Sequence, residues 1–169
     1  MIEEKAAKIE MLILDVDGVL TDGRIVLTEH GEETKSFYTR DGHGLKLLIQ
    51  AGVDVVLISG RNSKAVDFRA KDLGITEVYQ GVKDKGTLCA QILEKKKITK
   101  EKVCCIGDDL PDLPLFHYAG ISVAVADATP ELQVAATMVT QKGGGQGAVR
   151  EICELILKAK KQWPQPAGD

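Results

Sequence analysis

Met11-Leu-Ile-Leu-Asp15-Val-Asp17-Gly-Val-Leu-Thr-Asp-Gly23 begins with apolar residues and breaks into acids and glycines. So short an apolar run, bounded by turn residues, reads as a strand buried on both faces (residues 11–15). The pattern recurs downstream. Residues 53–59 (VDVVLIS) run into Gly60-Arg61-Asn62, and residues 103–107 (VCCIG) run into Asp108-Asp109-Leu110-Pro111-Asp112. Residues 121–125 are a fourth such run, and residues 77–79 and 138–140 are weaker ones. Between them, residues 45–51, 64–73, 85–97, 111–119 and 130–136 show helical spacing, and residues 148–162 place Val149, Ile152, Cys153 and Ile156 on one stripe. This alternation predicts an α/β fold, a doubly wound and mostly parallel sheet. It fills one domain over residues 1–162, followed by a flexible tail at 163–169 that carries two prolines and a glycine.

Composition narrows the classes of function. The chain has 169 residues, 44% of them hydrophobic and 28% charged, enough for one core in a globular protein. Its 22 basic against 25 acidic residues give a net charge of −3, so no basic field holds a nucleic-acid backbone. With 4% aromatics it offers no platform for stacking bases. The opening MIEEKAAKIE is too charged for a secretory signal, and no apolar run is long enough for a bilayer span, so a cytoplasmic protein is expected. Cys89, Cys104, Cys105 and Cys153 make no C-x-x-C pair and read as reduced, packed thiols, with Cys104 and Cys105 on opposite faces of their strand.

One segment interrupts the alternation. Residues 24–28 and 34–38 are extended runs joined by Glu29-His-Gly-Glu-Glu33, a β-hairpin projecting after the first strand. It is too short to bury Ile25, Leu27 and Phe37 by itself, and packing against another subunit is the expected outlet.

In a parallel sheet of this kind, ligands bind at the carboxyl ends of the strands. That edge collects Asp15 and Asp17, then Ser59, then Asp108, Asp109 and Asp112, with Lys85 opening a helix between the last two groups. Two bare carboxylates about 4 Å apart cost roughly 4 kcal/mol at an effective dielectric of 20. A divalent cation relieves that repulsion, and oxygen-only ligands suit Mg²⁺. Ser59 and Lys85 offer a hydroxyl and a positive charge to phosphate oxygens. Asp15 is the candidate nucleophile, because a carboxylate can form an acyl phosphate. Asp17, two residues on, is placed to protonate the leaving alkoxide and then to activate water. Phosphate-monoester hydrolysis, among the slowest of uncatalysed reactions, calls for this combination.

The ordered set Asp15/Asp17, Ser59, Lys85 and Asp108/Asp109/Asp112 resembles the four motifs of the haloacid dehalogenase-like phosphatases, over residues 11–157. That resemblance implies a Rossmann-like core with Mg²⁺ held by the Asp15 side chain, the Asp17 carbonyl and Asp108, while Asp109 and Asp112 orient ligand waters and Lys85. No cap domain fits between the motifs. Asp15-Val-Asp-Gly-Val-Leu-Thr-Asp-Gly23, Thr39-Arg-Asp-Gly-His-Gly44, Ser59-Gly-Arg61 and the glycine-rich segment through Arg150-Glu151 are similar to the capless 3-deoxy-D-manno-octulosonate (KDO) 8-phosphate phosphatases. That family implies a homotetramer built through the hairpins, a neighbouring subunit completing the site, and a place on the route to lipopolysaccharide. It further implies that Asp17, Tyr38, Thr39, Arg40, Asp41, Gly42, Lys46, Arg61, Arg69 and Lys85 bind substrate, with Arg150 acting in its own site or a neighbour's. Guanidinium groups suit an acid sugar phosphate, which they grip bidentately, and Arg61 and Arg69 are spaced to share a helix face.

Relatives acting on nine-carbon keto-sugar acid 9-phosphates tend to carry an acid where Arg61 stands, so Arg61 favours the KDO substrate; the nine-carbon substrate is the alternative. A phosphoaspartate receiver domain also clusters acids with a lysine, but it needs no group equivalent to Asp17. Gly143-x-Gly145-x-x-Ala148 matches a dinucleotide fingerprint in form, yet too little chain follows it for the rest of that unit. His30, His43 and His117 are too dispersed to argue a zinc site.

Overall fold

The computed structural model describes residues 1–164; residues 165–169, most of the expected tail, lie outside the described part. In chain order the elements are α1 (Ile2–Ala6), β1 (Met11–Leu14), β2 (Val26–Leu27), β3 (Glu33–Thr34), α2 (Thr39–Gln50), β4 (Asp54–Ile58), α3 (Lys64–Leu73) and β5 (Glu77–Tyr79). These are followed by α4 (Lys85–Lys96), β6 (Val103–Gly107), α5 (Leu113–Phe116), β7 (Ile121–Ala124), α6 (Pro130–Ala135), β8 (Met138–Val139) and α7 (Ala148–Ala159). The main sheet is parallel in the order β5-β4-β1-β6-β7-β8, and β2 and β3 form a separate antiparallel hairpin. β1 lies at the centre, with Leu14 opposite Leu57 on one side and Ile106 on the other. The tips of β4, β1 and β6 therefore open onto one edge.

Both faces of the sheet are covered, which is why its strands are apolar throughout. Leu12, Leu14, Val55, Leu57, Cys104 and Ile106 face α2, α3 and α7, where Leu45, Leu48, Val66, Ile152 and Ile156 close the larger core. Met11, Ile13, Val56, Ile58 and Cys105 face α4, against Cys89, Ile92 and Leu93. Cys104 and Cys105 thus point to opposite faces, and all four cysteines are free and buried. Burial pushes the Cys104 thiol up to about 12, so it packs as a small hydrophobe.

Several boundaries differ from the sequence reading. α2 begins at Thr39, six residues before its apolar pattern, because Gly42 packs on Arg69 and Leu73 and Gly44 on Cys153 and Arg150. Those glycines fall outside the helical spacing at residues 45–51; in the fold they let α2 approach α3 and α7. Residues 111–119 divide into a 3₁₀ turn, Leu110–Asp112, and the short α5, with prolines at the start of each. The hairpin strands are only two residues each, since no third strand extends the pairing. Phe37 does not wait for a second subunit: it packs against the main core. Trp163 does not belong to a free tail either, for it lies on the same core with the Arg150 guanidinium 4.7 Å from its ring centroid. α1, which the alternation of strands and helices does not include, packs beside α7 through the buried Ala6, with Ile9 buried just after it.

Candidate active site

The loop after β1 turns back sharply. Val16 accepts the N–H groups of Val19, Leu20 and Thr21, and the buried Thr21 hydroxyl accepts those of Gly18 and Gly23. Gly18 has φ +86°, and a Cβ there would overlap the Asp108 carboxylate. The peptide following Asp17 is thereby pressed against Asp108, the acid that follows β6. Gly107 plays the same part from the other side, since a Cβ there would overlap Asp112. α4 begins where the Asp84 side chain accepts the Thr87 N–H at 2.9 Å, which places Lys85 at its first residue, pointing inward.

Lys85 is buried, with its ammonium 3.0 Å from Asp15 Oδ1 and 2.7 Å from Asp112 Oδ1. The other Asp112 oxygen accepts the Asp108 N–H at 3.0 Å. Ligand oxygens of Asp15, Asp108 and Asp112 all lie within 4.8 Å of one another. Three acids against one ammonium leave negative charge uncompensated. Burial, followed by the Asp112 charge, pushes Asp15 up to about 6 despite Lys85. Burial, followed by the Asp112 and Asp15 charges, pushes Asp108 up to about 8. Burial opposes the charged form of Lys85, but Asp112 and Asp15 hold it above the ordinary lysine value. An all-oxygen cluster with excess negative charge fits a hard divalent cation. Both Asp112 oxygens are engaged, which leaves Asp15 and Asp108 as the freer donors and fits an orienting part for Asp112.

A cavity of about 550 Å³ opens over the cluster, lined by Asp15, Asp17, Arg61, Lys85, Asp108, Asp109 and Asp112 among others. Ser59 lies buried at the tip of β4, and its hydroxyl accepts the Arg61 N–H at 3.4 Å rather than lining this cavity. Asp109 accepts the Leu110 N–H at 2.7 Å, holding the 3₁₀ turn.

The expected substrate-binding residues do not converge within one chain. Asp17, Arg61 and Lys85 line the acid cavity, whereas Tyr38, Arg40 and Arg150 line a separate one of about 440 Å³ with Lys142 and Gln146. Arg150 pairs with Glu154 at 2.8 Å. Lys46 and Arg69 both face Asp72, at 3.9 and 2.8 Å, and Arg69 lies over the Phe37 ring. Arg61 precedes α3 and Arg69 lies within it, so they share no helix face. Thr39 is exposed at the start of α2, and Gly42 is a packing position. Asp41 is buried, and its Oδ1 accepts the Arg150 N–H at 2.8 Å, tying α2 to the start of α7. Burial pushes it up to about 6.

Two residues not among the expected site residues pair with members of this cavity's lining. Lys35 pairs with Asp17 and Glu33, and Glu33 pairs with Arg61. These partners hold Glu33 below the usual carboxylate range. The signal was available: Glu33 and Lys35 alternate on one face of an extended strand in an otherwise weakly paired hairpin.

A family model described as haloacid dehalogenase-like hydrolase matches residues 62–152, and the chain belongs to that family. It is 46% identical over 164 residues to the 3-deoxy-D-manno-octulosonate 8-phosphate phosphatase KdsC of Escherichia coli K12, covering 97% of this chain and 87% of the relative. The KdsC of Yersinia pestis is 48% identical over 165 residues, covering 98% and 88%. A crystal structure of the Moraxella catarrhalis phosphatase of that name, in complex with magnesium, phosphate and KDO, superposes with a TM-score of 0.93 at 44% identity, covering 96% of this chain and 93% of the other. Within the hydrolases, the chain is a member of the KDO 8-phosphate phosphatase family. The fold matches theirs, and no cap domain is present among the described residues.

Proposed function

We propose that the protein is a Mg²⁺-dependent phosphomonoesterase that hydrolyses KDO 8-phosphate to KDO and inorganic phosphate, a step toward lipopolysaccharide. The observation that carries this is the cavity where Asp15, Asp17, Lys85 and Asp108 meet with Arg61 at the rim, in a chain 44–48% identical along nearly its whole length to phosphatases of that name. Asp15, Asp108 and the Asp17 carbonyl would hold Mg²⁺, and Asp109 and Asp112 would orient its waters. When bound, the cation supplies Lewis-acid stabilisation of phosphoryl charge.

The chain's own residues do the rest. An Asp15 oxygen attacks phosphorus, the bond to the sugar oxygen breaks, and Asp17 gives that oxygen a proton. Water then attacks the aspartyl phosphate while Asp17 takes its proton, releasing phosphate and restoring Asp15. Lys85 neutralises Asp15 and the phosphate oxygens, with the Ser59 hydroxyl alongside. Arg61 pairs with the substrate carboxylate.

Phosphate release from a panel of esters tests this reading. KDO 8-phosphate should be preferred over nine-carbon keto-acid 9-phosphates and simple esters, and EDTA should abolish turnover. Arg61→Glu should lower kcat/KM for KDO 8-phosphate about 10–100-fold, the worth of a charged hydrogen bond, and spare carboxylate-free esters. Equal losses across all esters would refute the carboxylate role of Arg61, and preference for a nine-carbon acid would overturn the substrate.

Assembly is part of the same reading. Ile25, Val26 and Leu27 are adjacent on the hairpin and 49%, 55% and 60% exposed. Burying them between copies supports a homotetramer, in which Tyr38, Arg40, Lys46, Arg69 and Arg150 can serve a neighbour's cavity. Val26→Glu with Leu27→Glu should give smaller species by light scattering and at least a tenfold loss of activity. A tetramer unchanged by both substitutions would place the interface elsewhere. No helix among the described residues is long and apolar enough to cross a membrane, and the four unpaired thiols support a reducing cytoplasm.

A further inference from the structure

The hairpin brings a lysine side chain against Asp17. The Lys35 side chain is 2% exposed, with its ammonium 2.5 Å from Asp17 Oδ1 and 2.6 Å from Glu33 Oε1. The other Glu33 oxygen meets the Arg61 guanidinium. Charges thus alternate along Asp17, Lys35, Glu33 and Arg61. A desolvated ammonium persists only when paired, and both of its partners here are carboxylates. Asp17 and Arg61 line the cavity, whereas Lys35 and Glu33 are not among its walls. The lysine therefore reaches Asp17 without facing the space a phosphate ester would fill.

We propose that Lys35 is a positioning residue for Asp17, clamping one carboxylate oxygen from the hairpin so that the other meets the reacting oxygen. The inference rests on the reading of Asp17 as the proton-transfer group. In the second half-reaction a water oxygen bonds to phosphorus, the phosphorus–Asp15 oxygen bond breaks, and Asp17 takes the water proton. A misdirected Asp17 slows that step. Formation of the aspartyl phosphate from p-nitrophenyl phosphate is spared, because p-nitrophenolate departs without a proton.

Rapid-mixing kinetics with p-nitrophenyl phosphate and saturating Mg²⁺ provide the test. For Lys35→Met, the ratio of first-turnover rate to steady-state rate should rise about tenfold or more over the unsubstituted protein, with kcat down about 10–100-fold. Lys35→Arg should restore most of kcat. A uniform fall in both phases, or a raised KM at unchanged kcat, overturns the proposal in favour of a structural or phosphate-binding lysine. If Lys35→Met does not fold, Lys35→Gln and Glu33→Gln carry the same test, and an unchanged ratio in both overturns it. Asp17→Asn separates the two levels. A raised ratio there but not in the Lys35 variants sinks the positioning role alone, and an unchanged ratio in Asp17→Asn sinks the reading of Asp17 and the proposal with it.

Discussion

Asp15→Asn lowers kcat by about 10⁴-fold or more on every phosphate ester, the scale of losing a covalent nucleophile, while the protein stays folded. The amide keeps the shape of the carboxylate at the tip of β1 but cannot supply the attacking oxygen. Folding is spared for an electrostatic reason. Asp15 sits with Asp108 and Asp112 around a single ammonium, and its pKa, raised to about 6, shows that its charge is held at a cost. Removing that charge relieves repulsion, and Lys85 keeps Asp112 at 2.7 Å. Steady-state phosphate release with circular dichroism on the same sample checks both halves. Retained turnover refutes Asp15 as the nucleophile.

Lys85→Met removes the ammonium that pairs with Asp15 and Asp112, and kcat falls about 10²–10³-fold, the range for losing one preorganised charge donor. Its second effect is on stability and depends on pH. Asp15 and Asp108 are raised in the fold to about 6 and about 8 from an unfolded value of about 3.9. Between those limits the folded state binds more protons than the unfolded chain. The stability these groups contribute is therefore full at low pH and is lost as pH rises through 6 and then 8. Mg²⁺ favours the ionised carboxylates, so replacing EDTA by Mg²⁺ raises Tm more at pH 8 than at pH 6. The difference amounts to several degrees, at about 2–4 °C per kcal/mol for a chain of this size. In Lys85→Met, where no ammonium shares the load, the gain at pH 8 is larger still. Calorimetry at the two pH values decides, and an equal or greater gain at pH 6 contradicts the crowding of Asp15 and Asp108.

The parts legible in sequence were those fixed by local pattern. Unbroken apolar runs at residues 11–15, 53–59 and 103–107 mark strands covered on both faces, and the acids that follow them are fixed to the strand tips by chain connectivity alone. α3 was legible at both ends, because Gly74 terminates it in a left-handed conformation that its composition foretells. α2 was not. Gly42 and Gly44 oppose helix in isolation, and only the close approach of α3 and α7 makes them favourable. The spacing of Arg61 and Arg69 suggested a shared face, but the start of α3 falls between them.

By itself the sequence determined the sheet, its buried faces, and the set of carboxylates and one lysine at its edge, since each follows from residues adjacent in the chain. Tertiary structure decided which side chains meet across that edge. It set Lys85 between Asp15 and Asp112, turned Asp41 inward to cap α7, and folded Lys35 and Glu33 over Asp17 and Arg61. The physical reason is range: strand and helix periodicity act over a few residues, whereas pairing a buried charge depends on whichever partner the fold brings within about 3 Å.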